Sequence, residues 1–362
     1  MLKGVKVLDL TRVLAGPLCT MLLGDMGADI IKIERPGEGD ETRGWGPPFD
    51  SRGESAYYLS INRNKLSAAL DLDDPADRSV LDRLFADADV VVENFRPGVL
   101  AKRGLSAAAV RQRHPAIVWC TITGFADAPD RPGYDFVVQA ESGWMSITGE
   151  PGGSPMKHGI ALVDVLAGKD AAIAVLGALV ARGSSGVGSE VVVSLSATAQ
   201  AALVNVAQNA LVSASAPRRW GNAHANLVPY QLFDASDRAI VIAVGNDAQW
   251  RVCARALGLE SLASDPALAT NAGRLTHRAE VVAAIGARIA QATAAEWRER
   301  LDAVGVPNGV VRTVPEVLVG SDGSVLTGMP PSVPGSIRRP PPALGEHTAL
   351  VRERGWGAFE SA

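Results

Sequence analysis

Over its first 125 residues the chain alternates short aliphatic runs with segments whose apolar positions recur at helical spacing. Val5–Leu10 reads as a buried strand and Pro17–Met26 as a helix. Asp29–Ile33 makes a second strand that runs into the charged turn Glu34-Arg35-Pro36-Gly37. Past the Gly/Pro-rich stretch Gly37–Gly53 come strand Leu66–Leu72, helix Pro75–Ala86, strand Asp89–Glu93, a helical stretch near Ser106–Arg113 and strand Ala116–Thr123. Strand and helix in alternation predict an α/β fold with a parallel sheet covered by helices. Ligands of such sheets gather at the carboxyl ends of strands. That rule directs attention to Arg12–Gly16, Arg35, Asn94–Gly98 and Gly124–Asp135.

Beyond this region, residues 159–181 read as one long helix, followed by strand Glu190–Leu195 and an Ala-rich helix to about Leu211. Composition shifts after Pro217. Tyr230–Phe233 and Ala239–Val244 pair as a hairpin across Asp-Ala-Ser-Asp-Arg, and amphipathic helices follow at Ala248–Leu257, Arg278–Gln291 and Ala294–Ala303. The expected organisation is a large domain over 1–221, a smaller α+β domain over 222–310, and a segment 311–362 that returns to the large domain.

Composition narrows the classes. Apolar residues make up 47% and charged residues 20%, as in a globular chain rather than a disordered one. A net charge of −4 argues against a nucleic-acid coat or an anionic-membrane binder. The longest apolar run, Ala171–Ala181, has 11 residues, whereas about 20 are needed to span a bilayer. No signal peptide is recognisable at the N-terminus. Cys19, Cys120 and Cys253 are scattered, which fits a reducing compartment, and the expected location is the cytoplasm.

Several familiar chemistries lack their motifs. The turn after the first strand, Thr11-Arg-Val-Leu-Ala-Gly16-Pro17, has no GxGxxG, so neither a nicotinamide nor a flavin site is expected. No GxSxG appears, and the five histidines have no metal-binding spacing, so no metal is expected. His158 and His224 sit in Gly-rich loops and are the two histidines placed to line a site. Basic residues fall at predicted strand ends and turns: Arg12, Arg35, Arg43, Arg63, Lys65, Arg96, Lys102 and Arg103. Singly each reads as a solvated surface charge, but together they suit a ligand with several phosphates, such as coenzyme A. Asp164 stands among apolar neighbours and reads either as the N-cap of a helix beginning near Val165 or as a desolvated nucleophilic carboxylate. Asp135 is a second candidate acid, or a turn residue.

A family resemblance rests on a series of segments in order. These are Leu-Asp-Leu-Thr-Arg-Val-Leu-Ala-Gly-Pro (8–17), Leu-Gly-Asp-Met-Gly-Ala-Asp-Ile-Ile-Lys-Ile-Glu-Arg-Pro-Gly (23–37) and Gly-Asp-Glu-Thr-Arg-Gly-Trp (39–45). Asn62-Arg-Asn-Lys, Leu70-Asp-Leu, Val92-Glu-Asn-Phe-Arg-Pro-Gly, Arg131-Pro-Gly-Tyr-Asp-Phe, Asp164-Val-Leu-Ala-Gly and Leu344-Gly-Glu-His-Thr continue it. With them the chain resembles, nearly end to end, the family III CoA-transferases, which include formyl-CoA transferase, carnitine CoA-transferase and α-methylacyl-CoA racemase. The resemblance implies a Rossmann-like large domain built from both termini, a smaller domain between them, and a homodimer of two interlocked rings.

It also implies a chemistry: CoA moves from an acyl-CoA donor to a carboxylic acid acceptor through a covalent aspartyl-CoA thioester. The family's catalytic aspartate falls on Asp164, and its CoA contacts fall on Val13, Leu14, Arg35, Leu70, Asn94, Phe95, Lys102 and Arg103. Tyr134, Asp135 and Leu14 would shape the acyl end of the site, and Gly221-Asn-Ala-His224 is a candidate loop for stabilising oxyanions. Leu14 stands where formyl-CoA transferase has glutamine, and Lys102 where it has arginine; the loop Gly124–Arg131 is short for the family. These departures point away from formate and oxalate towards a different, less polar acyl group. Tyr134 occupies the position of the racemase histidine, and a phenol with a pKa near 10 is a poor base at neutral pH. A racemase-type isomerase and a non-catalytic CoA-ester-binding protein remain the alternatives.

Overall fold

The computed structural model describes residues 1–361. The chain forms two compact units: the larger comprises Met1–Met145, Lys157–Ser215 and the chain from Ser321 onward, and the smaller comprises Ser146–Met156 and Ala216–Gly320.

The larger unit is built on six strands: β1 (Lys6–Leu10), β2 (Asp29–Glu34), β3 (Lys65–Ala69), β4 (Val90–Glu93), β5 (Val118–Thr123) and β6 (Glu190–Ser194). All neighbours pair in parallel, in the order β3-β2-β1-β4-β5-β6. This is the order of the doubly wound fold, which reverses between β1 and β4. Successive side chains on a strand point to opposite faces, so Val7, Ile30, Val92 and Cys120 enter one core while Leu8, Ile31, Val91 and Trp119 enter the other. Because both faces are covered, these strands read as continuous apolar runs rather than alternating ones.

Helices α1 (Ala15–Asp25), α2 (Ala56–Leu59), α3 (Pro75–Asp87), α4 (Ala107–Arg113), α5 (Asp135–Glu141), α6 (Leu162–Ser185), α7 (Leu195–Ala201) and α8 (Val204–Ser213) complete the first part of this unit. Helix α3 shows how local chemistry fixes a helix start. The Asp74 side chain accepts hydrogen bonds from the Ala76 and Asp77 amides, and Pro75 opens the first turn. The single Ala-rich helix expected up to Leu211 is instead two helices, α7 and α8, separated at Ala202–Leu203. The C-terminal helix Thr348–Arg354 and the turn after it supply Val351, Trp356 and Ala358 to the second core.

In the smaller unit β7 (Tyr230–Asp234) and β8 (Ala239–Ala243) form the expected hairpin, and β9 (Asn308–Val310) adds a third antiparallel strand. Helices α9 (Asp247–Ala256), α10 (Arg278–Ile289) and α11 (Ala294–Asp302) enclose its core with Trp250 and Trp297. A three-residue strand of sequence Asn-Gly-Val has no periodicity to betray it.

Candidate active site

Where the strand order reverses, the loop from Thr11 to Leu14 leaves β1 and is held from several sides. Buried Asp9 accepts hydrogen bonds from the Thr11 amide (2.9 Å) and the Thr20 hydroxyl (2.7 Å), and pairs with the Lys65 ammonium at 2.9 Å. Lys65 and Lys32 hold the Asp9 carboxyl far below the usual carboxylate range in spite of its burial. Lys32 donates to the Thr11 carbonyl at 2.7 Å and pairs with Asp40 at 3.0 Å. From the end of β4, Asn94 brackets the main chain of Arg12, accepting from its amide at 2.9 Å and donating to its carbonyl at 2.8 Å. Within this loop Val13 has φ of +70°, a conformation that costs a β-branched residue about 1–3 kcal/mol. The fixed network around it supplies the constraint that maintains it.

Asp164 lies in the first turn of α6 and is 8% exposed. It is not the N-cap: the helix begins at Leu162, and the residue at the cap position, Ala161, has no side chain able to accept. The cap comes from α5, where Asp135 Oδ1 accepts from the amides of Val163 (2.7 Å) and Asp164 (3.3 Å). Gln139, one turn along α5, donates to Asp135 Oδ2 at 2.6 Å, and its Oε1 accepts from the His158 amide at 2.8 Å. Burial first, and then the nearby Asp135 charge, push the Asp164 pKa up to about 7. No cation offsets this among the described residues. Such a carboxylate is more basic than an exposed one, and so a stronger nucleophile once ionised.

The remaining expected residues fall into distinct groups. Leu14, half-buried at the start of α1, adjoins strained Val13, and Tyr134 lies exposed just before α5. Arg12 stacks over Phe95 at 5.5 Å, beside Asn94. Arg35 is exposed and pairs with Glu38 (3.0 Å); Lys102 is exposed; Arg103 forms a two-pronged pair with Asp73 at 2.7 and 2.6 Å. Leu70 is buried in the second core and its amide donates to the Glu34 carbonyl. His158 is exposed and reaches the site's network through its main chain, whereas His224 and Gly221 belong to the smaller unit.

The basic set is smaller than the sequence implied. Arg43 is buried against Glu34 (2.7 Å) and Glu54 (2.6 Å), Arg63 against Asp25 (2.7 Å), and Lys65 against Asp9. These three hold the fold together and are not available to a phosphate. Arg12, Arg35, Arg96 and Lys102 stay exposed near the strand ends. A cleft of about 770 Å³ runs along the ends of β4, β5 and β6, from Phe95 and Arg96 to Thr198 and Asp170. Asp170 lies six residues along α6 from Asp164, which does not itself line the cleft.

Two participants escaped the sequence reading. Tyr57, on α2, has its phenol pushed up to about 12 by burial and by the charges of Asp164, Asp135 and Asp40, so its hydroxyl shares their surroundings. Trp45 packs edge-on against it with centroids 5.2 Å apart. The available clue was local crowding: Trp45, Phe49, Tyr57 and Tyr58 fall close together in a chain with only 5% aromatic residues. Gln139 is the other, and nothing in the sequence marked it.

A sequence profile described as CoA-transferase family III matches residues 2–348. The chain belongs to CoA-transferase family III. It is similar to succinyl-CoA:glutarate CoA-transferase of Mus musculus, with 40% identity over 97% of this chain and 85% of that protein. Similarity to succinate–glutarate CoA-transferase of Agrobacterium fabrum is 39%, over 97% and 94% of the two chains. Acetyl-CoA:oxalate CoA-transferase of Acetobacter aceti is 34% identical over 97% of this chain and 94% of its own. Among solved structures, a CAIB/BAIF family protein from Brucella suis superposes with a TM-score of 0.85 at 37% identity, covering 97% of this chain and 98% of that one. The family III protein described here is thus an enzyme that moves CoA between an acyl-CoA and a carboxylic acid.

Proposed function

We propose that this CoA-transferase works through a covalent intermediate on Asp164. The observation that carries the reading is a buried carboxyl with a pKa near 7, paired with a second carboxyl and no cation. An Asp164 oxygen attacks the thioester carbon of the donor, the carbon–sulfur bond breaks, and CoA leaves as the thiolate. The thiolate attacks the Asp164 carbonyl carbon of the resulting mixed anhydride, which forms the aspartyl-CoA thioester and frees the donor acid. An acceptor carboxylate attacks that thioester and expels the thiolate. The thiolate then takes the acceptor acyl group from the second anhydride and restores Asp164. Burial of Asp164 protects both reactive intermediates from water.

CoA is held by the exposed cations and the switch-point loops, with Val13, Leu14, Arg35, Leu70, Asn94, Phe95, Lys102 and Arg103 as its contacts. Tyr134, Asp135 and Leu14 shape the acyl end, and the loop Gly221-Asn-Ala-His224 is the candidate oxyanion stabiliser. For the acyl group we propose a small dicarboxylic acid, the class named for the mouse, Agrobacterium and Acetobacter relatives, rather than the less polar group suggested by Leu14. The working form is an interlocked homodimer, supported by α8, which buries none of its side chains within the chain while exposing Val204, Leu211 and Val212. Three free, buried cysteines support a reducing compartment, the cytoplasm.

Oxygen bookkeeping tests the route. Each turnover hands one Asp164 oxygen to the released donor acid and replaces it from the acceptor carboxylate. With an acceptor labelled by oxygen-18 in its carboxylate, the label is expected in the donor acid over successive turnovers. Donor acid that stays unlabelled contradicts the anhydride sequence.

A further inference from the structure

One buried amide side chain, Gln139, joins the Asp135 carboxylate to the chain that leads into α6, and it is 1% exposed. It stands four residues after Asp135 on α5, so the two side chains share one face of that helix. Its Nε2 donates to Asp135 Oδ2 at 2.6 Å while its Oε1 accepts from the His158 amide at 2.8 Å. The second bond decides which way the Gln139 amide is turned. Reversed, its NH2 would face the His158 N–H and its oxygen would face a carboxylate oxygen, which puts two repulsions in place of two bonds.

Asp135 needs this donor. Its Oδ1 accepts from the Val163 and Asp164 amides at 2.7 and 3.3 Å, in the first turn of α6. A carboxylate fixed at one oxygen can still swing about its Cβ–Cγ bond, and Gln139 fixes the other oxygen. The His158 main chain, α5 and the turn that carries Asp164 are thus tied through a single carboxylate and a single amide. The titratable groups that face this pair are Asp164 from α6 and Tyr57 from α2. Helix α7, which also packs on α5, carries no titratable side chain, and Glu141 on α5 itself is exposed and pairs with Arg131.

We propose that Gln139 is a positioning residue of the transfer reaction: its amide, turned by the His158 main chain, fixes the Asp135 carboxylate at its second oxygen and so holds Asp164 in reacting geometry. The inference rests on the covalent route proposed for Asp164.

The test compares wild type, Gln139→Leu, Gln139→Glu and Asp164→Asn in the transfer of CoA from succinyl-CoA to glutarate between about pH 6 and pH 9. Gln139→Leu removes the donor and is expected to lower kcat by about tenfold or more at every pH. Gln139→Glu behaves differently. While protonated, its carboxyl copies the glutamine, with a hydroxyl that donates to Asp135 Oδ2 and an oxygen that accepts from His158. Burial and the adjacent carboxylate hold that proton above the ordinary glutamic acid range. Its loss as pH rises removes the donor and sets two carboxylates against each other. The ratio of Gln139→Glu to wild-type kcat is therefore expected to be highest near pH 6 and to fall as pH rises. Without any substrate, hydrogen exchange at the Val163 and Asp164 amides should quicken by about tenfold in Gln139→Leu. Wild-type kcat or wild-type exchange in Gln139→Leu, or equal losses in the two Gln139 variants at every pH, would overturn the inference. Full activity in Asp164→Asn would instead overturn the covalent route, so the two failures are told apart.

Discussion

Asp164 and Asp135 are chemically identical side chains in the first turns of two neighbouring helices, α6 and α5, and their surroundings give them different work. Asp135 spends one oxygen on the α6 amides and the other on Gln139, whereas Asp164 is left buried beside that charge with a pKa near 7. The carboxylate is the attacking form, so activity requires Asp164 to be ionised, and kcat/KM should fall as pH drops through about 7. Asp135→Asn keeps an oxygen to cap α6 but removes the charge. Lower charge means a lower Asp164 pKa, so the acidic limb should move down by about one pH unit. A limb that stays in place in this variant would show that Asp135 has no electrostatic hold on Asp164. At this scale the sequence was only partly readable. Asp164 could be singled out from its apolar neighbours, but its cap lies 29 positions away on Asp135. Arg43, Arg63 and Lys65 looked like ligand-binding charges because their acid partners, 11, 38 and 56 residues distant, come together only in the fold.

Helices α1 and α6 meet closely; α1 starts at the switch-point loop and α6 carries Asp164. Gly168 permits the approach: a Cβ built there would lie 2.6 Å from the Ala15 carbonyl oxygen and 3.2 Å from Leu18 Cβ. The obstacle is backbone, which cannot swing aside. Gly168→Ala is therefore expected to destabilise the protein by about 1–3 kcal/mol, as overpacking does, despite the better helix propensity of alanine. Denaturant unfolding checks the value, and a variant as stable as wild type would mean that the helices are not held by this contact. The elements themselves were legible wherever one period dominated. Apolar runs gave the parallel strands, and 3.6-residue spacing gave α3, α9 and α10. Helix α5 was missed because Asp-Phe-Val-Val-Gln carries β-branched residues that favour strands, while its burial of Val138 and Gln139 decides for helix.

At the scale of the molecule, apolar side chains remain exposed on long stretches of helix. Ile173 and Val180 lie seven residues apart on one stripe of α6, and Leu211 and Val212 project from α8. The interlocked homodimer proposed above would cover these surfaces. Sedimentation is expected to give a species of twice the 37.7 kDa chain mass, and Leu211→Asp to shift it towards the monomer. A wild-type monomer at micromolar concentration would contradict the dimer. The parallel sheet could be anticipated from strand and helix order, but the pairing order of its six strands could not. It depends on contacts between segments far apart in sequence, such as β1 with β4.

The covalent role proposed for Asp164 is open to direct measurement. Intact-protein and peptide mass spectrometry after brief mixing with succinyl-CoA should show a CoA-mass adduct on the peptide that contains Asp164, discharged by added glutarate and absent in Asp164→Asn. Transfer of CoA that proceeds at the wild-type rate in Asp164→Asn, or an adduct on another residue, would contradict the account.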